Sequence, residues 1–224
     1  MHLIKTLNSV VFNPLVWLLL GLCFAFIGIS LIADIPKLSS QLRLMEQLPV
    51  FAVAKPGERA FLEGQISAQN PPVYNQFVAY VREEYRSSIG RNLRWVEVAR
   101  QTPPLIIEVQ GKAVRVVNED YAFKTADVTL EEASPTVTRG AVQARGFVTG
   151  SLVFAIGSKQ DEGFVAEFFY AGTRSDYVAY LSHSLRGRMW FGGGILFIAL
   201  CFIFWGGFIF WRGRQLHLVT GKSG

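Results

Sequence analysis

The sequence has few of the residues that carry out most metal and redox chemistry. Its 224 residues include two cysteines and three histidines. Cys23 and Cys201 both lie in long apolar runs, so the segment between these runs contains no cysteine. That segment can therefore form neither a disulfide nor a thiolate metal site. We expect no bound metal and no cofactor.

Catalytic signatures are also missing. The patterns GxxxxGK[ST], HExxH and GxSxG do not occur. His183 lies between Ser182 and Ser184, but a catalytic triad is assembled in space and needs an orienting acid. Neighbouring carboxylates such as Glu83 and Glu84 point to opposite faces of a strand, so they rarely form an acid–base pair. We expect no catalytic residues and no enzyme activity.

Acidic residues are missing from both ends of the chain. All seventeen lie between Asp34 and Arg188, together with eighteen basic residues, so this segment is nearly neutral. The rest of the formal charge of +5 comes from Lys5, Arg212, Arg214 and Lys222. A nucleic-acid-binding domain needs a basic face, so we expect no nucleic acid partner. Basic ends follow the positive-inside pattern, which predicts cytoplasmic termini and a middle domain on the periplasmic, lumenal or extracellular side.

Long apolar runs are abundant, one near each end. No charge occurs from Thr6 to Ala33 or from Met189 to Trp211. At about 1.5 Å per residue, the second run reaches roughly 34 Å as a helix, enough for a hydrocarbon core of about 30 Å. The first run exceeds the apolar part of a signal peptide, roughly 7 to 15 residues, and lacks a clear cleavage site. We expect two transmembrane helices in contact with the lipid bilayer.

The middle domain has short β-type runs separated by turn signals. One example is a hairpin about Gln110 and Gly111. About seven strands at this spacing predict a mainly β domain, either a small barrel or a sandwich. Helical spacing beside the apolar runs predicts short juxtamembrane helices, the second capped by Ser175. The predicted segments are a tail at 1–13, a span at 14–34, a connector at 35–50, the β domain at 51–171, a juxtamembrane helix at 172–188, a span at 189–211 and a basic tail at 212–224.

Several segments together resemble one family. They are GERAFLEG at 57–64, FVAYVREEYR at 77–86 with Trp95 following, IIEVQGKAVRV at 106–116, RGFVTGSLVFAIG at 145–157 and the helix-to-span junction at 168–197. This order resembles the GIDE family, whose β domain is also called BAM, for "beside a membrane". The best-known relatives are mitochondrial ubiquitin ligases, in which a zinc-binding RING follows the second span. After Trp211 the sequence is RGRQLHLVTGKSG, which has no cysteine for a RING, so ligase activity is not implied.

Glycine and alanine recur at intervals of seven in both apolar runs. Small residues let helix backbones approach closely in lipid, and this interval fits a left-handed crossing. Glycine is also common in membrane helices generally, so the spacing alone does not require packing. We expect Gly206→Leu to disturb assembly and Phe197→Leu to matter little. The predicted packing residues are Gly21, Ala25, Gly28, Gly192, Ala199 and Gly206.

Two classes of function remain open from the sequence. The first is a non-enzymatic membrane-anchored protein whose β domain binds a partner, or which is a subunit or assembly factor of a membrane complex. Its partners are then other membrane protein subunits or further copies of the chain. The alternative is a small-ligand-binding protein or an enzyme with a site assembled on the β domain. The candidate interaction residues are Arg82, Glu84, Tyr85, Arg94 and Trp95.

Overall fold

The computed structural model describes residues 13–87, 93–131 and 140–220. Lys5 and Lys222 of the predicted basic tails, and the predicted tail up to position 12, lie outside the described residues. The chain divides into two compact units. The first contains Met1–Arg43 and Tyr180–Gly224, and the second contains Leu44–Ala179.

Three helices are present in the described residues: α1 at Pro14–Ile32, α2 at Ile35–Gln47 and α3 at Arg174–Thr220. Asn13 caps α1 because its side-chain oxygen accepts a hydrogen bond of 3.0 Å from the Leu15 backbone N–H. Proline follows directly at the first helical position, where its missing N–H is no loss.

The third helix is continuous over 47 residues, so the predicted juxtamembrane helix and the predicted second span form a single element. The prediction that Ser175 caps it is wrong. Thr173 caps α3, because its hydroxyl accepts from the Asp176 N–H at 3.1 Å and its carbonyl accepts from the Tyr177 N–H at 3.1 Å. Ser175 lies inside the first helical turn.

The helical stretches Pro14–Gln47 and Arg174–Arg212 are long and apolar enough to cross a membrane, by length and composition. Only 11% of the most apolar part of each stretch is buried. Large apolar side chains are consequently exposed along both helices, including Phe26 at 74% and Phe204 at 75%. This pattern differs from that of a core helix in a soluble protein, whose apolar side is covered.

The β region contains a five-stranded barrel. Its strands are β1 at Arg59–Ile66, β4 at Leu105–Val109, β5 at Lys112–Val116, β9 at Leu152–Gln160 and β10 at Gly163–Ala171. They follow the order β5-β4-β1-β9-β10, and a parallel pair between Phe164 and Val116 closes the barrel. A short strand, β6 at Ala122–Phe123, also pairs with β10.

A separate sheet has four strands in the order β3-β2-β8-β7. They are β2 at Phe77–Ser87, β3 at Leu93–Gln101, β7 at Val128–Glu131 and β8 at Val142–Val148. The described residues thus contain ten strands, where the sequence predicted about seven. The difference comes mainly from β6 and β7, which are two and four residues long and too short for alternation to be recognised. The predicted alternatives were a barrel or a sandwich, and the region contains a barrel and a sheet.

One apolar core joins the barrel to the four-stranded sheet. Phe147 of the sheet lies 6.0 Å from Phe169 of the barrel, measured between ring centroids. Tyr121 is fully buried beside Phe169, with ring centroids 4.8 Å apart, and its hydroxyl donates to the Pro103 carbonyl at 2.8 Å. Burial raises the pKa of Tyr121, so its hydroxyl stays neutral and can keep this hydrogen bond.

Two glycines fix local geometry in the barrel. The β4–β5 turn places Gln110 at φ +50° and Gly111 at φ +78°, which is the left-handed conformation that two-residue hairpin turns require. Gly157 lies where β9 and β10 approach closely, so a Cβ atom at this position would clash with the Val165 carbonyl oxygen. The first glycine therefore sets the turn, and the second sets the strand spacing.

Candidate functional site

In the first unit, glycines bring the backbones of α1 and α3 together. A Cβ atom on Gly21 would lie 2.6 Å from Ile203 Cγ1 and 3.1 Å from the Ala199 carbonyl oxygen. On Gly28 it would lie 2.8 Å from Leu196 Cγ and 3.2 Å from the Gly192 carbonyl oxygen. Neither position has room for a side chain without movement of the neighbouring helix.

The same closeness is seen from α3. A Cβ atom on Gly192 would lie 2.6 Å from Ile32 Cγ1, and one on Gly206 would lie 3.1 Å from the Pro14 carbonyl oxygen. Ala199 is 1% exposed, whereas Ala25 is half-buried. We call the contact surface of these residues the glycine interface: Gly21, Gly28, Gly192, Ala199 and Gly206.

Other glycines of α3 lie away from α1. A Cβ atom added at Gly187, Gly193, Gly194 or Gly207 would have no neighbouring atom within 4 Å. Glycine content alone therefore does not determine the contact. The interval of seven distinguishes the glycines of the interface from those that face open space.

Large side chains complete the contact between α1 and α3. The ring of Phe202 lies 5.4 Å from that of Trp17 and 5.5 Å from that of Phe24, between centroids. Reasoning from the sequence missed these aromatic partners and also Ile32, Leu196 and Ile203, which fill the space above the glycines. Their positions beside the glycines could have been inferred only after the two helices had been paired.

An ion pair and an apolar groove lie in the same unit. Arg188 Nη1 donates to Asp34 Oδ2 at 2.5 Å, and the two side chains are 39% and 57% exposed. Both residues flank apolar runs in the sequence, so their opposite charges beside these runs could have predicted the ion pair. The groove has a volume of about 350 Å³ and is lined by Ile29, Ile32, Ala33, Ile35, Pro36 and Leu196.

In the second unit, the five candidate interaction residues do not share one face of the four-stranded sheet. Tyr85 pairs with Trp95 across β2 and β3, and their rings lie 5.3 Å apart between centroids. Adjacent residues of a strand point to opposite faces, so Glu84 lies on the face opposite Tyr85. Arg82 lies two residues from Glu84 and Arg94 is adjacent to Trp95, so both also lie on the face opposite Tyr85 and Trp95.

Polar side chains on the Tyr85 face pair with one another. Glu83 accepts hydrogen bonds from Arg145 at 2.9 Å and from Gln143 at 2.8 Å. Glu97 accepts two from Arg100, at 2.9 and 2.7 Å. These bonds lower the pKa of Glu97 and raise that of Arg100, so both remain charged. Paired charges of this kind offer no surplus charge to a ligand.

Groups suited to metal binding do not converge in the parts of the chain that the structure covers. Over residues 13–87, 93–131 and 140–220, no three His, Cys, Asp or Glu side chains are grouped so as to hold a metal ion. His183 is exposed on α3.

Among the described strands of the sheet, β3 has the longest outer edge without a partner strand. Its inner edge pairs with β2 over eight residue pairs, and no other described strand pairs with it. Val98 on this strand is 40% exposed, and Trp95 is half-buried. An open edge presents unpaired backbone groups that can accept a further strand.

Fold and site together define a β region flanked by two long apolar helices, with a glycine-lined contact between those helices. In comparison with known proteins, no protein family, no curated protein and no solved structure matches the chain. The resemblance to the GIDE family therefore stays a prediction.

Proposed function

We propose that this chain is a non-enzymatic membrane protein that anchors a partner-binding β region within a membrane complex. The observation that carries the proposal is the exposure of large apolar side chains all along α1 and α3. Leu22, Phe26 and Phe204 are 61%, 74% and 75% exposed, although each helix already buries its glycines against the other. Such a surface suits lipid, because soluble proteins rarely expose contiguous apolar patches of this kind.

The glycine interface also supports membrane insertion. In lipid, apolar surface gives no driving force for helix association, so van der Waals contact between close backbones becomes important. Four glycines lie where α1 and α3 touch. Trp190 and Trp211, at the two ends of the predicted second span, are 77% and 60% exposed, as expected for side chains in the interfacial regions of a bilayer.

For the β region, contact with a partner protein is the best-supported role. Trp, Tyr and Arg are the side chains enriched at the energetic centres of interfaces. The rings of Trp95 and Tyr85 pack against each other on one face of the sheet, beside the open edge of β3. We propose that the partner binds at this edge and contacts Trp95 and Val98.

The proposal also includes the membrane topology of the chain and its resemblance to the GIDE family. Basic residues at the chain ends favour cytoplasmic termini, with the β region on the other side of the membrane. The resemblance to GIDE domains agrees with a β region between two spans. The five-stranded barrel is a common scaffold that presents its loops and one face to partners, and the nearly neutral middle segment does not favour nucleic acid.

Affinity purification in mild detergent tests the proposal. We expect a stoichiometric membrane partner, or a second copy of the chain, to co-purify with the wild type. Trp95→Ala and Val98→Asp should each reduce its recovery at least about fivefold, because interface anchors of this size contribute on the order of 1 to 2 kcal/mol or more. Leu152→Ala is a matched control, since Leu152 is 40% exposed on the barrel strand β9. A wild type that purifies as a lone monomer would count against partner binding.

A further inference from the structure

We propose that the groove between α1 and α2 holds an acyl chain of an anionic phospholipid, whose phosphate contacts the basic residues beside the groove. This inference rests on the proposed membrane insertion of α1 and α3. It adds a ligand class and a site to that function. The groove is the one lined by Ile29, Ile32, Ala33, Ile35, Pro36 and Leu196.

The groove arises where the first helix ends. Helix α1 stops at Ile32, and the Ala33 N–H closes its last turn on the Ile29 carbonyl at 2.9 Å. The chain turns at Ala33 and Asp34, and α2 begins at Ile35. A space of about 350 Å³ lies beside this junction and Leu196 of α3.

The lining of the groove suits a hydrocarbon chain. All six lining residues have apolar side chains, and apolar walls offer water few hydrogen-bond partners. Five of the six come from positions 29–36, within two helical turns of each other. A partner helix needs an apolar face that continues over several turns, whereas a single acyl chain needs only a short groove.

Positive charge borders the groove. Asp34 lies within the turn that forms it, and Lys37 follows the lining residue Pro36. Arg188 reaches the same turn through its ion pair with Asp34 and remains 39% exposed. Two cations against one carboxylate leave a net positive charge beside an apolar groove. Arg and Lys side chains both bind phosphate.

Native mass spectrometry of the full chain tests this proposal. The protein is purified in mild detergent and exposed to equal amounts of phosphatidylglycerol and phosphatidylcholine that carry the same acyl chains. We expect the wild type to retain about five times more phosphatidylglycerol. Ala33→Phe, which fills the groove, should lose most of both adducts, whereas Lys37→Gln should keep adducts but lose most of the preference. Arg212→Gln removes one positive charge near the other end of α3 and should change nothing.

Equal retention of the two lipids by the wild type would overturn the proposal, as would an unchanged preference in Lys37→Gln. Glycerol phosphate at millimolar concentration should not displace the adduct, and displacement would show a phosphate site that does not need the lipid chain. Each variant is also extracted from membranes at alkaline pH. Release of the wild type by alkali would refute membrane insertion itself, whereas retention without lipid preference would refute only the lipid site.

Discussion

Gly28 of α1 and Gly192 of α3 lie against each other's backbone. A Cβ atom on Gly28 would be 3.2 Å from the Gly192 carbonyl oxygen, and one on Gly192 would be 3.4 Å from the Gly28 carbonyl oxygen. A side chain on either glycine would therefore overlap with the backbone of the other helix. The approach of the two helices depends on both positions being small.

The first prediction concerns this pair. Gly28→Leu and Gly192→Leu should each destabilise the helix pair by about 1 to 3 kcal/mol, because overpacking a close contact forces the backbones apart. Unfolding in mixed micelles of increasing SDS content measures the change. Gly194→Leu is the matched control, since a Cβ atom there meets nothing within 4 Å. Equal losses at Gly192 and Gly194 would show that the interface does not hold the helices together.

The assembly prediction made from the sequence can be tested in the same way. Gly206 lies close to the Pro14 carbonyl oxygen and to Trp17, whereas Phe197 is 68% exposed. Gly206→Leu should therefore shift or dissociate the complex on native electrophoresis, and Phe197→Leu should leave it unchanged. An intact complex with Gly206→Leu would contradict the expected role of this glycine.

A second site for mutation is Arg174, which connects three parts of the β-containing unit. Its guanidinium lies 4.7 Å from the Phe61 ring centroid and donates to the Met45 carbonyl, and its backbone N–H donates to Glu63 at 2.9 Å. Arg174→Ala removes the two guanidinium contacts, so it should cost about 1 to 3 kcal/mol of stability. Near-ultraviolet circular dichroism during heating measures the loss. Arg115→Ala, at an exposed barrel position, should unfold at the wild-type temperature, and a similar drop for it would make the Arg174 effect nonspecific.

Gly157 is expected to be the least tolerant glycine of the barrel. Any Cβ atom there clashes with the carbonyl of Val165 on the neighbouring strand, and a backbone atom cannot move aside as a side chain can. Gly157→Ala should therefore cost about 3 kcal/mol or more. Chemical denaturation compares it with Ser158→Ala, the next residue, which should stay within about 0.5 kcal/mol of the wild type. A small effect at Gly157 would mean that β9 and β10 can separate easily.

The stability of the first turn of α3 should depend on pH. Asp176 accepts hydrogen bonds from the Thr173 N–H at 2.9 Å and the Thr173 hydroxyl at 2.7 Å, and these bonds lower the pKa of its carboxyl. Because the folded-state pKa lies below the unfolded one, the stabilisation is complete above the ordinary Asp value of about 3.9. It is lost as the pH falls through the lowered value. Carbon-13 NMR titration should find a midpoint below 3.9, and a midpoint at or above it would refute the cap. Asp176→Asn should remove the dependence.

Long runs and local turns were predictable from the sequence. Both apolar helices follow from segments without charge, and the hairpin follows from Gln110 and Gly111, whose positive φ angles the turn requires. These signals are contained within a few neighbouring residues. The cap at Thr173 was missed because Ser175, two positions later, has an equally suitable side chain.

Long-range pairing was not predictable. Glu83 pairs with Gln143 across sixty positions, and this register alone assigns β2 and β8 to a sheet outside the barrel. The prediction that the five candidate interaction residues form one surface failed for a different reason. Glu84 and Tyr85 are neighbours on one strand, so alternation places them on opposite faces; the shared surface could have been questioned from the sequence alone.

Thiol labelling of the two native cysteines tests membrane insertion itself. Cys23 and Cys201 are the only cysteines of the chain, and both are exposed on the apolar helices. In intact native membranes we expect a water-soluble maleimide to label neither, because lipid covers them, whereas Asp161→Cys in a cysteine-free background should react fully when the reagent reaches both sides. Detergent denaturation should then make both native thiols reactive. Rapid labelling of Cys23 or Cys201 in the intact membrane would place these helices in water and contradict the proposed anchor.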